Sequence, residues 1–275
     1  MAMVRVAFQG ERGAYGEMAA LQYFPRARLT PKKSFQDVFD AAEGGEADYA
    51  VVPVENSIEG SVNEIYDLLL QTKMGVIGEL YQRVRHCLIA NWGGKKIRYV
   101  HSHPQALAQC RGYLQKKKLE PVPAYDTAGA AKMVKESRML DSAAIASRRA
   151  AELYRMEILD EGIEDRKNNY TRFLVLSPKK ARGDSKSGHY KTSMIFSVKH
   201  VPGALFGIIG EFAIRRINLT KIESRPTKET PWEYNFFVDV EGHVRDKTMQ
   251  QALQSIKPKT SYIKILGSYK KAEFR

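Results

Sequence analysis

Two rhythms of apolar and polar positions divide the chain. Up to about residue 178, apolar runs at residues 4–8, 49–54, 98–101 and 143–146 predict strands, each followed by a stretch of helical period. Strands alternating with helices predict an α/β domain with a largely parallel sheet, because a parallel pair needs a long crossover and a helix is the usual one. Beyond residue 190 the order becomes strand 192–199, helix 203–217, strands 219–224 and 234–240, helix 246–256 and strand 261–269. That βαββαβ order is ferredoxin-like. Residues 179–189 are small, polar and charged, with almost nothing to bury, and read as a linker. The expected organisation is a first domain over 1–178, a linker over 179–189 and a second domain over 190–275.

The strand-to-helix junctions of the first domain share one design, a strand delivering a glycine or small polar residue to a helix start. Gln9-Gly10-Glu11-Arg12-Gly13, Glu55-Asn56-Ser57-Ile58-Glu59-Gly60, Ser102-His103-Pro104-Gln105, Asp126-Thr127-Ala128-Gly129 and Ser147 all fit it. Each leaves free backbone N–H groups and the positive end of a helix dipole at one rim of the sheet, which suits a small carboxylate. The segment Asn168-Asn169-Tyr170-Thr171-Arg172-Phe173 adds an amide pair, a hydroxyl and a guanidinium at the mouth of an apolar strand. On an extended chain Asn169 and Thr171 share one face while Tyr170 and Arg172 share the other. Two neutral hydrogen-bonding groups are thus expected to look into one pocket.

Composition narrows the function classes. The 275 residues are 43% hydrophobic, enough for a sizeable core. No apolar stretch is long enough for a membrane span, and the first residues run into a strand without a signal-peptide pattern. Cys87 and Cys110 stand apart, with neither a disulfide framework nor metal-ligand spacing, so a cytoplasmic location is expected. The net charge of +13 suggests nucleic acid, yet residues 1–178 carry 25 basic and 22 acidic side chains, and 179–275 carry 19 and 9. The excess is scattered and comes with no nucleic-acid-binding motif. Gly10 and Gly13 form no dinucleotide fingerprint, no phosphate-loop lysine follows, and His101 with His103 lacks a third ligand, so no cofactor and no metal are expected.

Taken together, Val52-Pro53-Val54-Glu55-Asn56-Ser57 with Gly60, His103-Pro104-Gln105-Ala106-Leu107, Thr127-Ala128, Ala143-Ala144-Ile145-Ala146 and Asn169-x-Thr171-Arg172-Phe173 resemble the motifs of prephenate dehydratase, in order and spacing. Gly203-Ala204-Leu205 and Asn218-Leu219-Thr220-Lys221-Ile222-Glu223-Ser224-Arg225-Pro226 resemble the ACT regulatory domain of the same enzymes. One departure is Gly16, where a serine is common in the family. The resemblance implies a two-lobed catalytic domain like a type 2 periplasmic binding protein, followed by the ACT domain. It implies conversion of prephenate to phenylpyruvate, water and carbon dioxide, feedback control by L-phenylalanine, and a homodimer or homotetramer built through ACT domains. Some relatives carry a chorismate mutase segment upstream; here the first strand comes at once, and none is expected.

The resemblance makes Thr171 the essential threonine, and its hydroxyl suits a donor to the departing ring hydroxyl. Asn169, Asn56, Ser57 and Thr127 suit the carboxylates and ring, joined as substrate-binding candidates by Gly60, His103, Gln105 and Phe173. Arg172 is either a carboxylate clamp or a structural ion-pair partner. Glu55 beside a dianion suits a positioning role. The effector is expected between two ACT domains, on Gly203, Ala204 and Leu205 of one chain and Glu223, Ser224, Arg225 and Pro226 of the other, with Asn218 and Leu219 nearby. Arogenate dehydratase, which differs only in an amino group on the substrate's side chain, remains the alternative activity. A non-catalytic sensor of aromatic amino acids and a nucleic-acid binder are weaker rivals.

Overall fold

The computed structural model describes residues 3–93, 96–179, 189–227 and 233–273. Of the expected linker, residues 180–188 lie outside the described residues. The chain opens with β1 (Arg5–Gln9), α1 (Tyr15–Tyr23), β2 (Arg28–Lys32), α2 (Phe35–Glu43), β3 (Tyr49–Asn56), β4 (Gly60–Ser61), α3 (Asn63–Gln71) and β5 (Gly75–Arg83). It continues through β6 (Cys87–Ala90), β7 (Tyr99–Ser102), α4 (Pro104–Gln109), α5 (Arg111–Lys117), β8 (Glu120–Pro123), α6 (Thr127–Glu136), β9 (Ser142–Ala146), α7 (Arg148–Tyr154), β10 (Glu157–Glu161) and β11 (Tyr170–Ser177). The last elements are β12 (Tyr190–Ser197), α8 (Ala204–Ala213), β13 (Leu219–Pro226), β14 (Tyr234–Glu241), α9 (Lys247–Ile256) and β15 (Tyr262–Lys270).

Two compact units result, one of residues 1–62 with 80–173, the other of 63–79 with 174–275. The first unit holds two sheets. In one, β1 lies parallel between β2 and β3, and β4 runs antiparallel to the end of β3. The start of β11 is flanked on both sides: Ser57 N–H donates to the Tyr170 carbonyl and Val84 N–H to that of Asn169, both at 2.8 Å. The second sheet has the order β10-β6-β9-β7-β8. Its two faces are both covered, which explains strands without polar alternation. Cys87, Ile89, Ala144 and Ala146 pack with α6 and α7, while Leu88, Ala90, Ala143 and Ile145 pack with α4 and α5. The four strands read from the sequence in this unit are β1, β3, β7 and β9.

Some features escaped the sequence pattern. β2 and β8 each contain proline and each sits at a sheet edge, the place where a missing N–H is tolerated. The second sheet is mixed rather than mostly parallel, because β6 runs antiparallel to both β9 and β10. The helical stretch after the Ser102–Gln105 junction is two short helices, α4 and α5, meeting at Cys110. α2 carries a reciprocal cap that an Ser-x-x-Asp spacing supports: Asp37 N–H donates to Ser34 Oγ and Ser34 N–H to the Asp37 carboxylate, both at 3.1 Å.

In the second unit the antiparallel sheet β13-β14-β12-β15 is covered on one face by α8 and α9 around Met194, Phe196, Ile208, Phe212 and Val238. The βαββαβ reading holds. The other face is covered too, by α3 and the start of β5. Tyr66 meets Phe237 edge to face at 4.9 Å, and the Lys264 ammonium donates to the carbonyls of Leu69, Leu70 and Thr72 at the end of α3. A cation there satisfies carbonyls the helix leaves unpaired and opposes its dipole. Lys191 and Glu79 form a 3.0 Å ion pair with side chains 4% and 0% exposed, and Glu79 also accepts from Ala272 N–H.

Removing one partner of such a pair leaves a buried charge without its counter-ion, so Lys191→Met should lower stability by about 3–5 kcal/mol. The double variant Lys191→Met/Glu79→Gln should recover part of that loss. Urea denaturation of the two variants checks both statements.

Candidate active site

The first unit encloses a cavity of about 380 Å³ at the carboxyl ends of parallel strands from both sheets. Gln9 and Gly10 enter it from the end of β1, Asn56 from β3, His103 from β7, and Thr171 and Phe173 from β11. Such strand ends hold ligands because the helices that follow turn their free N–H groups toward the opening. Gly13 lets the two sheets' loops approach. A Cβ there would lie 2.9 Å from Cα of Ala150, its φ is +92°, and its carbonyl accepts a 2.6 Å bond from Ser147 Oγ. Only glycine accepts both the contact and the left-handed conformation.

One hydrogen-bond chain sets the polarity of the site. Asn56 Oδ1 accepts from the backbone N–H groups of Ile58 at 2.9 Å and Glu59 at 3.1 Å, so its Nδ2 must face the other way. Nδ2 donates to Asn169 Oδ1 at 2.8 Å and to Thr171 Oγ1 at 3.0 Å. Asn169 Nδ2 in turn donates to Gln109 Oε1 at 2.9 Å, which leaves Gln109 Nε2 to donate to Glu59 at 3.3 Å. Gln109 Oε1 also meets His86 Nε2 at 3.0 Å, so His86 carries its proton on Nε2 and its Nδ1 faces the Tyr15 hydroxyl at 3.2 Å. The consequence falls on Thr171. Its oxygen already accepts from Asn56, and its hydroxyl proton is left to donate into the cavity that it lines.

Of the residues singled out from the sequence, Thr171, Asn56, His103, Gln105, Thr127 and Phe173 line this cavity. Asn169, fully buried, shares the face of Thr171 but stands behind it, facing Asn56 and Gln109. Ser57 ties the two segments by donating to the Asn168 carbonyl and accepting from Tyr170 N–H. Arg172 is buried on the opposite face, Glu55 is half-buried, and Gly60, at φ +81°, turns the chain into β4; none of these three lines the cavity. Gly16 does, and a side chain there would press on the Gln9 carbonyl at 3.1 Å.

Tyr15, His86, Gln109 and Asp126 also line the cavity, although the sequence did not mark them as binding residues. Tyr15 and His86 meet edge to face at 5.7 Å although 71 residues separate them. Gln109 lies one helical turn beyond Gln105, a spacing of four that puts both on one face of α4 and could have pointed to it. No comparable signal marks His86. Among the described residues, no three potential metal ligands come together.

In the second unit, Gly203 begins α8 at φ +79°, and a cleft of about 120 Å³ is lined by Val198, Val201, Ala204, Leu205, Tyr234 and Phe236. Leu219, Glu223, Ser224, Arg225 and Pro226 lie on β13, the edge strand, with Asn218 immediately before it. Asn218, Ser224 and Pro226 are exposed there. Arg225 reaches Asp67 of α3 at 3.6 Å.

Burial holds the His86 ring below the usual imidazole value of 6.5, against the opposing pull of Gln109 and Glu164. Folded His86 thus resists a proton that the unfolded chain accepts. As pH falls below about 6.5, stability should drop by up to about 1.4 kcal/mol per pH unit, until the folded ring is protonated as well. His101, also lowered by burial, adds a share of the same sign. Denaturation of His86→Gln across pH 5 to 7 should show a shallower loss, and an unchanged slope would rule His86 out as its source.

Comparison with known proteins agrees with this geometry. The prephenate dehydratase family matches residues 6–181 and the ACT domain residues 192–258. The chain is 42% identical over 277 residues to arogenate dehydratase/prephenate dehydratase 2, chloroplastic, of Arabidopsis thaliana, covering 97% of this chain and 72% of that one. It is similar to the solved prephenate dehydratase from Arthrobacter aurescens in complex with L-Phe, with TM-score 0.89, 31% identity, and coverage of 98% of this chain and 90% of that one. It is also similar to GqqA, described as a novel type of quorum quenching acylase, with TM-score 0.90, 36% identity and 97% coverage of both chains. With its cavity built on the Asn56 and Thr171 motifs and matched over most of its length, the chain belongs to the prephenate dehydratase family.

Proposed function

We propose that this protein catalyses the decarboxylating dehydration of prephenate to phenylpyruvate, water and carbon dioxide, the aromatising step toward L-phenylalanine. The observation that carries the reading is the Thr171 hydroxyl, held by Asn56 with its proton free to enter the cavity. In the reaction the bond between the ring and its carboxylate breaks, the carboxylate leaves as carbon dioxide, and the electron pair enters the ring. The C–OH bond on the far side of the ring breaks in the same process, and the departing oxygen takes up a proton to leave as water. Aromatisation drives both, so the protein's task is orientation and relief of negative charge on the leaving oxygen, with no cofactor. Thr171 donates to that oxygen. Asn56 holds Thr171, Asn169 and Gln109 hold Asn56, and Phe173 contributes apolar wall. His103, Gln105 and Thr127 present hydrogen-bonding groups to the carboxylates. Ser57, Gly60 and Glu55 shape the loop after β3, and Arg172, buried on the opposite face of β11, supports the strand from behind rather than acting as a clamp.

Removing the donor should cut kcat at least a hundredfold in Thr171→Ala with the fold intact, since a single preorganised donor of this kind is worth about 2.7–4 kcal/mol. Thr171→Ser should keep part of the rate. Steady-state turnover of prephenate decides, and near-normal rates in the alanine variant would remove Thr171 from the mechanism.

The reading extends to control. We take residues 1–178 as catalytic and 190–275 as the ACT domain, with L-phenylalanine held between two ACT domains by Gly203, Ala204 and Leu205 of one chain and Glu223, Ser224, Arg225 and Pro226 of its partner, Asn218 and Leu219 adjoining. Support comes from Val201, Phe206, Ile214 and Ile222, large apolar side chains 45–80% exposed in the second unit, as expected of a surface that pairs. The thiols of Cys87 and Cys110, free and buried, suit the reducing cytoplasm. Phenylalanine should weaken prephenate affinity by roughly 5- to 150-fold, the usual range for coupled sites. Gly203→Val and Ser224→Ala should both desensitise the enzyme while sparing uninhibited turnover; calorimetry showing undiminished phenylalanine binding in both would displace the site.

A further inference from the structure

A cavity that suits carboxylates carries no permanent cation. None of the described residues that line it is lysine or arginine, and Asp126 even places a carboxylate in its wall. Two side chains of the wall can acquire a full positive charge, His86 and His103. His103 is committed elsewhere, because its Nδ1 accepts from Gln105 N–H at 3.2 Å as the cap of α4, and a proton there would end that bond. His86 is placed differently. Its Nε2 donates to Gln109 Oε1 at 3.0 Å, while its Nδ1 faces the Tyr15 oxygen at 3.2 Å. That phenol has one proton and gives it to the Arg85 carbonyl at 2.8 Å, so the Nδ1 lone pair of a neutral ring meets an oxygen lone pair. A second proton on the ring would turn the mismatch into a hydrogen bond.

A buried carboxylate stands ready for that charge. Glu164, 2% exposed, accepts from His86 N–H at 2.9 Å through Oε2, and its Oε1 is buried with no hydrogen-bond partner. Burial disfavours the imidazolium while Gln109 and Glu164 favour it, and in the free protein burial prevails. The other groups about the ring do not compete for its proton. Burial raises Tyr15, Cys87 and Cys110 above their ordinary values and keeps them neutral, Arg85 pairs with Glu161 at 3.6 Å, and Glu59 accepts from the far side of the Gln109 amide.

We propose that His86 is the cavity's switchable cation, taking a proton from solvent as a substrate with two carboxylates enters and releasing it when the product leaves. The inference rests on the dehydratase reading above and adds a positioning residue to it. Both ring nitrogens are occupied by Tyr15 and Gln109, so His86 acts by its charge and touches no bond that breaks. The entering carboxylates add negative charge to that of Glu164 and tip the balance that burial holds in the free protein. The product carries one carboxylate where the substrate carries two, so the hold on the extra proton weakens as the reaction completes.

The pH dependence of KM for prephenate tests this on the unaltered protein. A proton held more tightly in the complex than in the free protein means that affinity falls as pH rises, so KM should climb by up to about tenfold per pH unit between about pH 6 and 8, with kcat changing less than roughly threefold. His86→Gln offers an amide in place of the ring but cannot be charged, and its KM should be raised at the acid end and flat across the range. Glu164→Gln keeps an acceptor for His86 N–H while removing the carboxylate charge, and the climb should move to lower pH by about half a unit or more. A KM in the unaltered protein that stays within about twofold over this range, or that climbs equally in His86→Gln, overturns the role of His86. So does an unmoved profile in Glu164→Gln, which carries the test should His86→Gln fail to fold. In each of these outcomes prephenate is still turned over and the dehydratase reading stands. A protein that turns over no prephenate loses that reading and this inference together.

Discussion

Two backbone N–H groups, those of Ile58 and Glu59, decide the chemistry of this cavity by claiming the carbonyl oxygen of Asn56. Backbone donors cannot reverse their role, so every later amide in the chain of contacts has only one consistent orientation. Asn56 gives its hydrogens to Asn169 and Thr171, Asn169 gives its own to Gln109, and Thr171 is left with a proton and no protein acceptor for it among the described residues. A hydroxyl is ordinarily an ambiguous group. Here a turn at the end of β3 makes it a donor.

The arrangement requires two remote chain segments to be held in register, and backbone pairing does this. Ser57 and Tyr170 exchange bonds through N–H, carbonyl and hydroxyl, so the Asn56 and Thr171 motifs cannot shift past each other by a residue without losing all of them. Gly13 closes the other side, where the absence of a side chain allows the loop after β1 to touch the start of α7. Packing and backbone pairing of this kind fix the donor in place before any ligand arrives.

The second unit shows a comparable economy. Its sheet is buried on both faces, by α8 and α9 on one and by α3 with the start of β5 on the other, and the latter contact is tied by Lys264, by Lys191 with Glu79, and by Arg225 with Asp67. Arg225 belongs to the strand motif assigned to the effector, and Asp67 lies on the helix that follows β4 in the chain. β4 itself pairs with Glu55 and Asn56.

Sequence alone determined the elements whose signals are local. Apolar runs located β1, β3, β7 and β9, alternation and helical period located the whole βαββαβ unit, and the strand-to-helix junctions marked the rim where Asn56, His103, Thr127 and Thr171 meet. Strand alternation placed Asn169 and Thr171 on one face, as their shared contact with Asn56 requires. Only the tertiary structure decided which residues stand in front and which behind: it set Asn169 as the support of Thr171, brought Tyr15, His86 and Gln109 into one hydrogen-bond chain, and put Asp126 in the wall. It also covered one face of the second unit's sheet with residues 63–79. The physical reason is the same in each case. Local pattern records which way a side chain points along its own strand or helix, whereas a hydrogen bond's direction depends on partners that lie, for Asn56, 113 and 115 residues away.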